Sequence, residues 1–81
     1  MTDTLAALAT GQTAVVREVA DQGPLGRRLL DLGLVPGSGV TCLGRAPLGD
    51  PAAYLIAGTV IALRRRDAAC VRLEPEEGES V

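Results

Sequence analysis

Chemistry in an 81-residue chain must come from few side chains, and this one offers three groups of them. Two thiols, Cys42 and Cys70, are its only soft ligands or nucleophiles. Its arginines cluster as Arg27-Arg28 and Arg64-Arg65-Arg66, and its carboxylates gather as Glu74, Glu76, Glu77 and Glu79, with Asp50 set in a Gly-Asp-Pro loop. There is no His, Lys, Trp or Phe, and Tyr54 is the sole aromatic residue. Acid–base catalysis near neutral pH usually recruits His, and a thiol needs a neighbouring base or ammonium to become a good nucleophile. The composition therefore argues against an enzyme. Cys42 and Cys70 are not in Cys-x-x-Cys spacing, and two thiolates without imidazole make a poor site for a metal that prefers N and O ligands. They read as structural or incidental, and Asp50 reads as an Asx-type turn. No catalytic, metal or cofactor residues are assigned.

The arginines are the better candidates. Leu25, Leu29 and Leu32 recur at i, i+4, i+7, the spacing of a helix face. Arg28 and Leu32 share one side of that helix, and Arg27 lies about 100° from Arg28. Apolar helical spacing usually means core. A short helix on a small domain can still leave part of its stripe uncovered, and an apolar patch rimmed by Arg suits docking. Arg27, Arg28, Leu29 and Leu32 are therefore one expected partner surface, with Leu29 or a neighbour serving core and contact alike. Arg64 and Arg65, with Arg66 beside them and Asp67 offsetting one charge, are a second, suited to an acidic partner or phosphate. Single-strand nucleic-acid binding and Pro-rich peptide recognition both depend on several aromatic side chains. One Tyr disfavours both.

Elements must hold these groups in place. The length fits one domain with a thin core, since a chain of this size buries only about 60% of its unfolded surface. No run approaches the ~20 apolar residues of a membrane span, and Met1-Thr2-Asp3-Thr4 lacks the basic and apolar blocks of a secretory signal. Two cysteines suit a reducing cytosol. The formal charge is −2, yet setting aside the four terminal glutamates leaves +2 over residues 1–73. The expected division is a folded domain over 1–74 and an acidic, disordered tail over 75–81.

Leu5 and Leu8 predict a short helical turn before Gly11. Thr13–Val19 predicts a strand in which Ala14 and Val16 share a face, with a bulge near Arg17 or Glu18. Pro24 suits the first position of the helix, Gly33 its left-handed end, and Leu34 the apolar residue that folds back. Val35-Pro36-Gly37-Ser38 reads as a type II turn. Strands follow at Val40–Leu43, Tyr54–Ile56 and Thr59–Leu63, then one helical turn near Arg64–Ala69, then a last strand with Val71 and Leu73 on one face. Five short strands, one short helix and a one-turn helix before the final strand predict a mainly β, SH3-like barrel closed on itself.

Three blocks carry a family resemblance. Arg27-Arg28-Leu29-Leu30-Asp31-Leu32-Gly33-Leu34-Val35-Pro36-Gly37-Ser38 resembles the central signature of FeoA, the small cytoplasmic component of bacterial ferrous iron uptake. Ala46-Pro47-Leu48-Gly49-Asp50-Pro51 resembles that family's loop after its second strand. Ile61–Arg65, Asp67-Ala68, Val71 and Leu73 resemble its end, and the likeness runs in order over about residues 4–74. The resemblance implies an SH3-like barrel with no chemistry of its own. It also implies a partner, the polytopic membrane GTPase transporter FeoB, whose cytosolic part would recruit the protein to the inner face of the membrane. Alternatives are a regulatory module akin to the domain fused to DtxR-type metal-dependent repressors, or a small Arg-rich nucleic-acid binder. No small-molecule substrate is expected, and free strand edges leave weak self-association open.

Overall fold

β-Branched and apolar runs separated by Gly and Pro become five strands in the computed structural model, which describes residues 3–75. The expected tail over 75–81 lies outside the described residues except for Pro75. In chain order, a 3-10 turn (Leu5–Ala7) precedes β1 (Thr13–Val19), α1 (Pro24–Asp31), β2 (Gly39–Arg45), β3 (Ala52–Ile56), β4 (Thr59–Leu63), α2 (Arg65–Ala68) and β5 (Val71–Leu73). The strands form one antiparallel sheet in the order β4-β3-β2-β1-β5. It curls into an SH3-like barrel. The predicted bulge is present: the β1–β5 register slips between Val16 and Glu18, so Arg17 is the extra residue.

Complete closure is not observed. β4 and β5 lie at opposite ends of the strand order and are joined by α2. A one-turn helix between two strands sets them apart instead of side by side. The N-terminal segment covers the outer edge of β5: Thr4 bridges to Arg72, and the Leu73 N–H donates to the Asp3 carbonyl at 2.9 Å. The 3-10 turn packs on both α2 and β5. Leu5 and Leu8 enter the core there, and the Arg45 guanidinium donates to the carbonyls of Ala6 and Leu8 at 3.1 and 2.7 Å. The buried Tyr54 hydroxyl completes the tie by donating to the Leu5 carbonyl at 3.3 Å.

α1 has well-defined ends. Pro24 occupies the first turn, where a missing N–H costs nothing. Asp21, upstream of the helix, accepts from the N–H groups of Gly23 and Gly26 through one oxygen, at 2.6 and 3.1 Å, so its carboxylate serves the orphan donors. At the other end Gly33 takes φ +107°, its N–H donating to Leu30 and that of Leu34 to Leu29. That pair of bonds is a Schellman cap. Leu34 is consequently buried, as expected. The turn after it is type II, with Gly37 at φ +92° and the Ser38 N–H on the Val35 carbonyl.

Candidate functional site

The helix face sorts its residues differently from the sequence expectation at one position. Arg27 and Arg28 are exposed and Leu32 is half-buried against the core. Leu29 is only 1% exposed, so its side chain cannot form a contact surface. This corrects the Leu29 half of the expectation that Leu29 or a neighbour serves core and contact alike. Leu29 lies in the middle of the stripe, where β1 packs against α1, and the apolar residue that α1 does show to solvent is Leu30.

Arg64, Arg65 and Arg66 are exposed around α2. The backbone N–H of Arg65, the first helical residue, donates to Asp50 Oδ1 at 2.9 Å. Asp50 thus caps α2 from the β2–β3 loop instead of closing a turn of its own, because a helix start leaves N–H groups without partners. The Arg65 guanidinium lies near Gly49 of the same loop.

Two arginine groups far apart in sequence meet in space. A groove between α1 and the β4–α2 junction is lined by Arg28, Arg64 and Arg66, with Asp67 on its rim and Leu25, Leu29 and Leu63 beneath. Arg27 does not line it; with Gln22, Asp31 and the same Arg28 it lines a neighbouring shallow hollow on α1. Arg65, turned toward the loop, does not line it either. The six expected partner residues therefore divide. Arg28 and Arg64 share the groove, with Leu29 buried beneath it, whereas Arg27, Leu32 and Arg65 lie outside.

Sequence reasoning passed over an apolar face. The outward side of β2, β3 and β4 shows Leu43, Leu55 and Val60 to solvent, Val60 being 59% exposed, and Leu48 at the loop tip is 96% exposed. Alternation was the available signal. In Tyr54-Leu55-Ile56, however, inward and outward residues are all apolar, so the pattern does not separate them. Arg45 was also passed over, and its role is to hold the N-terminal segment.

Cys42 is buried, Cys70 half-buried, and both thiols are free. Among the described residues no three His, Cys, Asp or Glu side chains gather as a metal-binding group. Burial raises the pKa of Tyr54, with nearby Arg45 opposing it, so the phenol stays neutral over the physiological range.

The model of the FeoA domain matches residues 4–75. The chain belongs to the FeoA family. Its FeoA domain is 40% identical over 70 residues to the Fe(2+) transport protein A/Fe(2+) transporter FeoB fusion protein of Porphyromonas gingivalis, covering 86% of this chain and 8% of that protein. Among solved structures, FeoA of Chlorobium tepidum has a TM-score of 0.81 at 37% identity, covering 94% of this chain and 75% of the other. FeoA of Stenotrophomonas maltophilia, a procaryotic SH3 domain protein complexed with zinc, has a TM-score of 0.80 at 33% identity and 88% coverage of both chains. The family is associated with ferrous iron transport, and in the P. gingivalis relative FeoA and FeoB share one chain. No helix among the described residues is long and apolar enough to cross a membrane.

Proposed function

We propose that this protein is a non-enzymatic accessory of ferrous iron uptake that binds the cytosolic part of a FeoB-type transporter and modulates it. The observation that carries the reading is the fusion: a domain covalently joined to a transporter in one organism works beside it there, and its separate counterpart is expected to reach the same partner by binding. The side-chain chemistry agrees. A chain without His or Lys, with one neutral buried phenol and two free thiols, has little to act with except its surface. In this reading it works in the cytoplasm, at the inner face of the membrane, and its contact residues are drawn from the exposed arginines.

The test is co-purification of the full chain with the cytosolic part of the FeoB-type transporter from the same cell. Retention on the transporter, and a changed GTP turnover or iron flux on adding the chain, supports the proposal. Failure to bind at micromolar concentrations, or turnover of a substrate by the purified chain alone, overturns it.

A further inference from the structure

Arg28, Arg64 and Arg66 reach one groove from α1 and from the β4–α2 junction, and their charge is poorly answered within the protein. Arg66 Nε stands 3.7 Å from Asp67 Oδ1 on a largely exposed side chain, and an ion pair of that kind contributes little. Arg28 and Arg64 form no ion pair among the described residues. Of the three arginines in the strands, Arg45 donates to two carbonyls and Arg72 lies 3.5 Å from Glu18, whereas Arg17 forms no ion pair among the described residues. Three guanidiniums thus face one carboxylate across the groove of a chain whose formal charge is −2. The groove is mainly polar; Leu29 and Leu63 are buried beneath it, and the half-buried Leu25 shows a small aliphatic surface between the arginines.

We infer that this groove docks an acidic protein segment, one that sets carboxylates on Arg28 and Arg64 and an apolar side chain against Leu25. Guanidiniums match carboxylates with paired hydrogen bonds, and Leu25 offers a small apolar contact beside them. A phosphodiester backbone fits less well. It has no apolar group to set against Leu25, and no aromatic side chain lines the groove to stack on its bases. The inference rests on the accessory role proposed above and specifies the chemistry of the partner's contact.

A labelled peptide of repeating Glu-Leu-Glu-Glu, titrated against the full chain by fluorescence anisotropy at low salt, tests the groove without the transporter. Arg28→Glu with Arg64→Glu is expected to weaken binding by about tenfold or more, as is replacing the peptide's Glu by Gln. Arg27→Glu, outside the groove, is expected to weaken binding far less than the double variant, through its unpaired long-range charge alone. All three arginines are exposed, so melting temperatures should coincide and report intact folding. Equal binding by the double variant, equal loss in Arg27→Glu, or tighter binding of a dT oligonucleotide than of the peptide would overturn the inference. A second arm uses the transporter's cytosolic part. If that part retains wild type and double variant alike, the groove is refuted while the accessory role stands. If the peptide behaves as expected but wild type is not retained, the accessory role falls and the groove survives.

Discussion

Gly26 sits in the first turn of α1 with no room for a side chain: a methyl group there would run into the carbonyl oxygen of Asp21. The same Asp21 caps the helix through its carboxylate, so backbone and cap approach α1 together. Gly26→Ala is expected to destabilise the protein by about 1–3 kcal/mol despite the better helix propensity of Ala, because the clash is with main chain that has little freedom to move. A urea unfolding curve measures it; an unchanged midpoint would show that the Asp21 turn yields freely. Tyr54 makes a second residue-scale prediction, in pH. Its phenol is pushed above the ordinary value by burial, so the folded state holds the proton more tightly than the unfolded one. That contribution is fully present below the unfolded pKa of about 10 and is lost as pH rises from there through the folded pKa. Wild type should lose stability as pH rises above about 10, and in Tyr54→Phe that part of the decline should vanish. The variant should also be weaker by about 1 kcal/mol at pH 8, having lost the hydrogen bond to Leu5. A parallel decline in both proteins would place the alkaline sensitivity elsewhere.

Local elements were legible where a single residue type forces a backbone state. Pro24, Gly33 and the Pro36-Gly37 pair marked the two ends of α1 and the turn after it, and all three adopt the expected conformations. The β3–β4 hairpin follows the same logic with one lapse. Its two connecting residues, Ala57 and Gly58, have φ +52° and +79°, a turn in which both positions favour Asn or Gly. Ala57 is exposed and pays for its side chain with left-handed strain. Ala57→Asn is expected to raise stability by about 0.5–1 kcal/mol, part of the ~1–2 kcal/mol that an L side chain costs in that region. For a domain of this size that is a melting-temperature rise of a few degrees, on the order of 4–8 °C per kcal/mol. No rise on melting would mean that the hairpin is not limited by its turn. What the residues did not disclose were pairings between distant segments. Nothing local links Thr4 to Arg72, Arg45 to Ala6, or Arg28 to Arg64 and Arg66, so neither the N-terminal strap nor the shared groove could be read before the sheet was assembled. Leu29 shows the converse: its helical spacing placed it correctly on the apolar face, but burial was decided by β1, which lies outside the pattern.

At the scale of the whole molecule, the open side of the barrel makes the N-terminal segment part of the fold. β5 is three residues long, pairs with β1 on one side, and on the other depends on Asp3 and Thr4. The segment also contributes Leu5 and Leu8, among the largest fully buried side chains. Fully burying a leucine stabilises by about 1.5–3 kcal/mol relative to exposure, so the pair alone is comparable with the lower part of the ~5–15 kcal/mol by which native domains are stable. Deletion would also strip Arg45 and Tyr54 of the carbonyls they donate to, leaving a buried hydroxyl without its partner. A chain lacking residues 1–9 is therefore expected not to fold cooperatively, with a broad thermal transition by circular dichroism and rapid amide exchange in β5. Leu5→Ala is the graded version, expected to cost about 2–5 kcal/mol while leaving the transition cooperative. A sharp melt in the deletion variant would show that β1–β4 with α1 suffice as a core, and that the strap only covers an edge. The distinction bears on the groove, because the 3-10 turn packs on α2, which carries Arg66 and follows directly on Arg64: a strap essential to folding also fixes the positions of both.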